Sequence, residues 1–260
     1  GGFSGACIGA VFSSDDGPLH GTRWALVPRT IHAQSGSVKM AKADVVLYNF
    51  SPNKPSCERS GIPMKACVFI QTNHKQITGA IVAEHALRRY SRNNDKFDVQ
   101  IMHTRDYPFF AAREGQEYLR DGVKRTWLND DLQSFTPTRF MPPKLMGYEG
   151  RAVVIDPDIF AVADIWELLS RDMQGKAIMC RMRSGPKGLV DRCMASSVML
   201  LDCARLRHWD AERSFEAMFN FTQDYQPWIC LREEDRNTID FFEPEWNDFD
   251  KFTLQTKLLH

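Results

Sequence analysis

Between residues 66 and 102 the chain runs through a short apolar stretch, an amphipathic helical stretch and a second extended stretch, and few folds accept that order. Cys67-Val68-Phe69-Ile70 is apolar throughout and stops at the polar Gln71-Thr72-Asn73, as a buried strand does. From about Ile77 to Tyr90, Ala80, Ala83, Leu87 and Tyr90 share one helical stripe. Phe97-Asp98-Val99-Gln100-Ile101-Met102 alternates in part and predicts the next strand. Strand, helix and strand in succession make a βαβ unit, so the expected fold is α/β with a mostly parallel sheet flanked by helices.

A second apolar run, Ala152-Val153-Val154-Ile155, ends on Asp156-Pro157-Asp158. It predicts another buried strand, with two carboxylates at its carboxyl end, where open α/β sheets place their ligand crevices. Residues two apart in extended backbone point to one side, so both can reach one hard cation such as Mg²⁺ or Mn²⁺. Pro157 stiffens the pair by fixing its own φ. The pair does not suit glycoside hydrolysis, whose two carboxylates flank the bond from opposite sides at about 5–9.5 Å. Downstream, Asp164 stands where it would cap a short helix beginning near Ile165.

Elsewhere the patterning is weaker. Asp44 to Phe50 predicts one strand, Ser51 to Pro63 a proline-rich loop, and Arg113 to Leu119 a helix. Further strands are predicted at Ala177–Cys180, Ser197–Leu201 and Thr256–Leu259. Residues 1–64 form a Gly- and Pro-rich extension of unassigned role, and 65–260 the domain that carries the α/β pattern. Gly1, Gly2, Gly5 and Gly9 lack the Gly-Lys-Ser/Thr that would make a phosphate loop. The chain begins without Met and with no charged leader, as a segment of a longer chain would.

With 260 residues, 43% hydrophobic and 25% charged, the chain can bury a sizeable core. Its formal net charge of +0 gives no whole-molecule field to recruit nucleic acid or an anionic membrane, though Arg181, Arg183 and Lys187 could hold an anion locally. No run approaches the roughly 20 apolar residues of a membrane span. Seven scattered cysteines with no Cys-x-x-Cys pair predict reduced thiols and a cytoplasmic location. Trp127, Trp166, Trp209, Trp228 and Trp246 are expected in the core.

Several segments together resemble glycosyltransferase family eight, which includes the glycogenins and bacterial lipopolysaccharide galactosyl- and glucosyltransferases. Val153 to Leu169 is similar to its metal segment, an apolar strand, Asp-x-Asp, a spacer and Asp-(Ile/Leu)-x-x-Leu. Val68 to Asn73 resembles its first nucleotide-binding strand, and Thr138-Arg139-Phe140 its Arg-Leu element. Ala195 to Asp202, followed by Leu206-Arg207-His208-Trp209, resembles its Asn-Ala-Gly-Val segment. Trp246-Asn247 and Thr256 to His260 resemble the closing strand and its metal-ligating His. The likeness spans about residues 66–260.

The resemblance implies a GT-A fold and a retaining, metal-dependent transfer of a hexose from a nucleotide sugar, UDP-linked, to a glycan or other hydroxyl acceptor. It implies Mn²⁺ or Mg²⁺ on Asp156, Asp158 and His260; donor contacts from Thr72, Asn73, Arg139, Asp156 and Ser196; and Arg139, Asp224 and Gln226 at the reacting centre. The Asp-Gln pair of the family is matched only by Asp224-Tyr225-Gln226, with one residue inserted, and its Asn-Ala-Gly is Ala195-Ser196-Ser197. The family pattern continues past the His with a Gly- and Lys-containing loop, so a chain ending at His260 is expected to close incompletely on the diphosphate. Two rivals stand beside this reading: a non-catalytic nucleotide- or glycan-binding GT-A protein, and a sugar nucleotidyltransferase. The second lacks the glycine-rich loop it needs at Gln71-Thr72-Asn73-His74.

Overall fold

The structure, a computed structural model, describes residues 66–183 and 194–260 together with the backbone of 22–27 and 44–49. The chain divides into two units, Gly1–Pro55 and Ser56–His260. The boundary expected at 64/65, the glycine-rich start, the loop at 51–63 and Lys187 lie outside the described residues. In the first unit, β1 (Thr22–Val27) pairs antiparallel with β2 (Asp44–Asn49), Thr22 opposite Asn49. β2 was predicted from its apolar residues; β1 was not.

The second unit opens with the expected βαβ unit: β3 (Ala66–Thr72), α1 (Ile77–Tyr90) and β4 (Phe97–His103), the strands parallel with Ala66 opposite Phe97. A short α2 (Pro108–Ala111) then leads to a hairpin of β5 (Glu117–Arg120) and β6 (Val123–Thr126). This overturns the helix expected at 113–119. Asp121 and Gly122 take φ of 52° and 70°, the geometry of a two-residue hairpin turn whose twist matches the strands it joins. Next come a 3-10 turn (Thr136–Phe140), α3 (Pro142–Leu145) and β7 (Arg151–Ile155). Past Asp156-Pro157-Asp158 follow β8 (Phe160–Ala161), α4 (Trp166–Leu169), β9 (Ile178–Arg181) and β10 (Ala195–Asp202). The chain ends through α5 (Ala211–Phe219), α6 (Tyr225–Ile229), β11 (Ile239–Phe241) and β12 (Leu258–Leu259).

Six strands form the central sheet in the order β11-β9-β10-β7-β3-β4. Only β10 runs antiparallel to its neighbours, so the sheet is mostly parallel, as expected. Both faces are covered. Ala152 and Val154 of β7 join one core with Phe69, Met199 and Leu201, while Val153 and Ile155 join the other with Val68, Ile70 and Leu200. Two-sided burial explains why these strands are apolar without alternation. α1 covers one face through Ala80, Ala83 and Leu87; Tyr90, expected on that stripe, is exposed. The other face carries an aromatic cluster in which Phe140 stacks on Trp228 at 4.6 Å and Trp127 meets Phe215 edge-on at 4.9 Å. Of the five tryptophans expected inside, Trp166 is only partly buried.

Among the described residues no helix is long and apolar enough to cross a membrane. Cys67, Cys180 and Cys203 are buried thiols. Cys230, however, is disulfide-bonded, against the expectation of reduced thiols throughout. Disulfides persist in oxidising compartments, so the cytoplasmic assignment loses its basis in cysteine usage.

Candidate metal and nucleotide site

Strand register assembles the site. Ile70 and Ile155 are opposite one another, so the next residues, Gln71 and Asp156, emerge side by side at the carboxyl ends of β3 and β7. The Asp156 amide donates to the Ser197 carbonyl of β10 at 3.1 Å. The Asp156-Pro157-Asp158 turn then packs on α1 at Gly79, where a Cβ would stand 2.6 Å from the Pro157 carbonyl oxygen. Glycine is therefore the residue that lets the helix approach the turn so closely. Asp164 secures the far side. Its carboxylate accepts from the Trp166 amide at 3.0 Å, and also from Ser91 Oγ at 2.6 Å, the Arg92 amide and Asn93 Nδ2; the cap position of α4 itself is Ile165, one residue later than expected.

The end of the chain returns to the same place. β12 pairs antiparallel with β8, Leu258 opposite Ala161 and Leu259 opposite Phe160, which carries His260 back toward Asp158. The His260 amide donates to the Asp248 carbonyl at 2.9 Å, and the Asp250 amide donates to the His260 carbonyl at 2.8 Å. One ligand atom each from Asp156, Asp158 and His260 can be chosen so that all three lie within 4.8 Å of one another.

Whether this triad suits a cation is decided by its neighbours. Asn247 is fully buried, and its Nδ2 donates to Ser197 Oγ at 2.9 Å. Its Oδ1 is thereby presented to His260 Nδ1 at 3.0 Å, favouring the tautomer with hydrogen on Nδ1 and a lone pair on Nε2. Nε2 lies 3.9 Å from Asp158 Oδ1. An imidazole held by a carbonyl on one nitrogen, with the other turned to carboxylates, is the arrangement metal-binding histidines adopt. Two carboxylates and an imidazole suit Mn²⁺, and the carboxylates suit Mg²⁺. The residues therefore fit a divalent cation.

Asp156 differs from Asp158. Its side chain is 15% exposed against 55% for Asp158. Arg139 Nη2 donates to Asp156 Oδ1 at 2.9 Å, and Gln71 Nε2 donates to the same oxygen. Burial pushes the Asp156 carboxyl above the ordinary carboxylate range; Arg139 opposes that shift and Asp158 adds to it. Arg139 Nη1 donates to Ser196 Oγ at 2.6 Å, and Ser196 Oγ in turn donates to the Ile229 carbonyl. Arg139 Nε and Gln71 Oε1 are buried without hydrogen-bond partners in this ring.

These groups border a cleft of about 380 Å³, lined by Gln76, Arg120, Arg139, Asp156, Asp158, Arg183, Ser196, Gln226 and His260 among others. Thr72 and Asn73 do not line it. Both are fully buried, and Asn73 Nδ2 donates to the Asp131 and Leu132 carbonyls and to Ser134 Oγ, while its Oδ1 accepts from the Lys75 and Gln76 amides. Asn73 thus shapes the loop above β3. Asp224 does not line the cleft either. Its carboxylate accepts from the Asp121, Gly122 and Gln226 amides, pinning the β5–β6 turn while capping α6. Gln226 does reach the cleft. Gln71 and Asn247 were placed in segments of likeness without a role of their own, and Arg120 and Gly79 were passed over. Asp121-Gly122, a strong hairpin signal, would have found the strand that carries Arg120.

No protein-family model matches the sequence, and no curated protein matches it. Solved structures do. The galactosyltransferase LgtC in complex with donor and acceptor sugar analogs matches at TM-score 0.52 and 12% identity, over 75% of this chain and 86% of that one. The fold is that of GT-A glycosyltransferases. The apo-form glycosyltransferase GlyE of Streptococcus pneumoniae TIGR4 matches at TM-score 0.50 and 12% identity, over 75% of this chain and 54% of that one. The bifunctional glycosyltransferase WbbM matches at TM-score 0.50 and 13% identity, over 86% of this chain and 50% of that one. The chain thus spans about half the length of GlyE and WbbM.

Proposed function

We propose that residues 65–260 form a metal-dependent, retaining glycosyltransferase of the family-eight kind, moving a hexose from a UDP-sugar to a hydroxyl acceptor. The observation that carries this is the meeting of Asp156, Asp158 and an oriented His260 at the strand ends of a GT-A fold, beside an arginine-lined cleft. In this reading the three residues hold Mn²⁺ or Mg²⁺, which when bound offsets charge on the departing nucleoside diphosphate. Arg139 holds Asp156 in place and, with Ser196, faces the donor sugar and its phosphates. Thr72 and Asn73 act by shaping the loop over the nucleotide rather than by direct contact. Gln226 borders the reacting centre, and Asp224 positions the wall that carries it. Residues 1–64 are an extension of unassigned role.

Calorimetry with UDP, with and without Mn²⁺, tests the proposal. UDP should bind at least about tenfold tighter with Mn²⁺ present, a difference of some 1.4 kcal/mol. The gain should vanish in Asp158→Ala, and sugar release from a UDP-hexose should require the metal. Equal affinity with and without Mn²⁺ would reject the metal-dependent reading. One observation favours a second reading, a nucleotide binder without turnover: among the described residues the only carboxylates lining the cleft are Asp156 and Asp158, both assigned to the cation. Metal-dependent UDP binding with no sugar release from any UDP-hexose would select it.

A further inference from the structure

The charge on the cleft wall exceeds what a nucleotide sugar would neutralise. Among the described residues, three arginines line it, Arg120, Arg139 and Arg183, against two carboxylates, Asp156 and Asp158. Arg139 is committed to Asp156. Neither Arg120 nor Arg183 stands within ion-pair distance of a described carboxylate; Asp131, in the recess behind Arg120, acts on it electrostatically from farther away. A divalent cation and the two negative charges of a nucleotide-sugar diphosphate cancel, so donor binding leaves Arg120 and Arg183 without a partner in the cleft itself.

Arg120 stands apart from the metal ligands. It leaves the cleft wall from β5, and its guanidinium lies over the Tyr225 ring at 4.8 Å. Tyr225 is buried at the start of α6, and Arg139 acts on it electrostatically. The order along the wall is therefore Asp156, Arg139, Tyr225, Arg120. The β5–β6 turn beyond Arg120 is clamped by the Asp224 carboxylate through two amides, at 2.9 and 2.6 Å, so the arginine sits on a fixed support. Asp131 faces the small recess on its other side and accepts from the Gln133 amide at 2.8 Å. The Arg120 side chain also hydrogen-bonds Tyr118; a guanidinium stacked on an aromatic ring has five N–H groups in its plane, so others stay open to a planar or tetrahedral oxyanion.

We infer that the cleft takes an acceptor bearing an anionic group, a carboxylate or a phosphate, and that Arg120 is the residue that binds it. This rests on the glycosyltransferase reading, because that reading puts the donor at the metal ligands and leaves the Arg120 end for the acceptor. The excess charge is then a specificity device: a neutral acceptor would leave the arginine unsatisfied under the closed donor.

The test loads the full chain with a non-hydrolysable UDP-hexose analogue and Mn²⁺ and titrates methyl β-glucuronide, glucose 6-phosphate and neutral methyl β-glucoside by calorimetry. One of the two anions should bind about tenfold tighter than the neutral glycoside, the scale of a charge-assisted hydrogen bond. Which anion wins separates the carboxylate from the phosphate. Arg120→Gln should bring the favoured anion to the neutral level with UDP affinity kept, and Arg120→Lys should restore part of the preference. Equal binding of all three compounds, no binding by any, or a preference that survives Arg120→Gln would each overturn the inference. So would an Arg120→Gln variant that loses UDP instead, which would place Arg120 on the donor. Failure of the wild-type chain to bind UDP with Mn²⁺ would count against the glycosyltransferase reading separately. The anion preference and its loss in Arg120→Gln would then be scored on the unloaded chain.

Discussion

The two walls of the cleft are built in opposite ways. The metal wall hangs from the central sheet: Gln71 and Asp156 follow β3 and β7, and His260 follows β12. Around Asp156 its polar groups, Gln71, Arg139 and Ser196, are buried and bonded to one another, so a lost partner leaves another stranded. The opposite wall is a hairpin and a five-residue helix, held at its turn by one carboxylate, and all of β6 is exposed. Strand ends in a two-sided core give precision, whereas the hairpin gives a surface that can change without disturbing the sheet.

The largest effect should separate two neighbours within the metal wall. Asp156→Ala strands the Arg139 guanidinium, itself 7% exposed, with no counter-charge. Breaking a buried pair in this way costs about 3–5 kcal/mol, a fall in Tm on the order of 10 °C for a unit of this size. Asp158→Ala should remove the Mn²⁺-dependent gain in UDP affinity with little change in Tm, because its side chain is 55% exposed. Thermal melts of both variants without metal check this; equal melting points would show that the two carboxylates are structurally equivalent.

Gly79→Ala comes next. The new methyl would meet the Pro157 carbonyl, which belongs to backbone and cannot swing aside. Overpacking of this kind costs about 1–3 kcal/mol, from which the better helix propensity of Ala returns up to about 1. Metal affinity should fall along with stability, because the turn carrying both carboxylates must shift. A variant with unchanged Mn²⁺ affinity would show that α1 does not set the position of the turn.

The hairpin wall should respond less. Asp224→Ala removes the cap of α6 and the clamp on the β5–β6 turn, at about 1–2 kcal/mol. Metal-dependent UDP binding should persist, since neither wall shares an acidic group with the other. Its loss would return Asp224 to the reacting centre.

How far the sequence revealed these walls follows from their physics. The sheet was legible because burial on both faces demands uninterrupted apolar runs, and Ala152–Ile155 and Cys67–Ile70 show them. α1 was found at its observed bounds, 77–90, from one apolar stripe. Asp156 and Asp158 were read from their place at the end of an apolar strand and His260 through a resemblance, and the structure brings the three within reach of one another. Gln71 and Asn247 were not legible, because their roles depend on strand register and on which side-chain atom faces which neighbour. The helix expected over Arg113 to Leu119 overran β5, because Asp121-Gly122 just beyond it, a hairpin signal, was overlooked. The approach of Gly79 to the Pro157 carbonyl is a tertiary contact that no local pattern announces.

The smallest effect concerns Asp164, which ties α4 to the end of α1. Burial acts to raise its pKa, but hydrogen bonds from Ser91, the Trp166 amide, Asn93 and the Arg92 amide outweigh it and hold the carboxyl below its ordinary value. A depressed folded pKa means that this stabilisation is present above the unfolded value of about 3.9 and is lost as pH falls through the folded value. Asp164→Asn keeps the shape and an acceptor oxygen but not the charge, so it should cost about 0.5–1 kcal/mol at pH 7. That deficit should shrink as the wild type is acidified below about pH 4, since protonation removes the same charge. Urea midpoints of both proteins from pH 7 down to pH 3 would show the curves converging. Parallel curves would mean that Asp164 acts by shape alone, and that the turn bearing the metal ligands is braced on this side by packing rather than by charge.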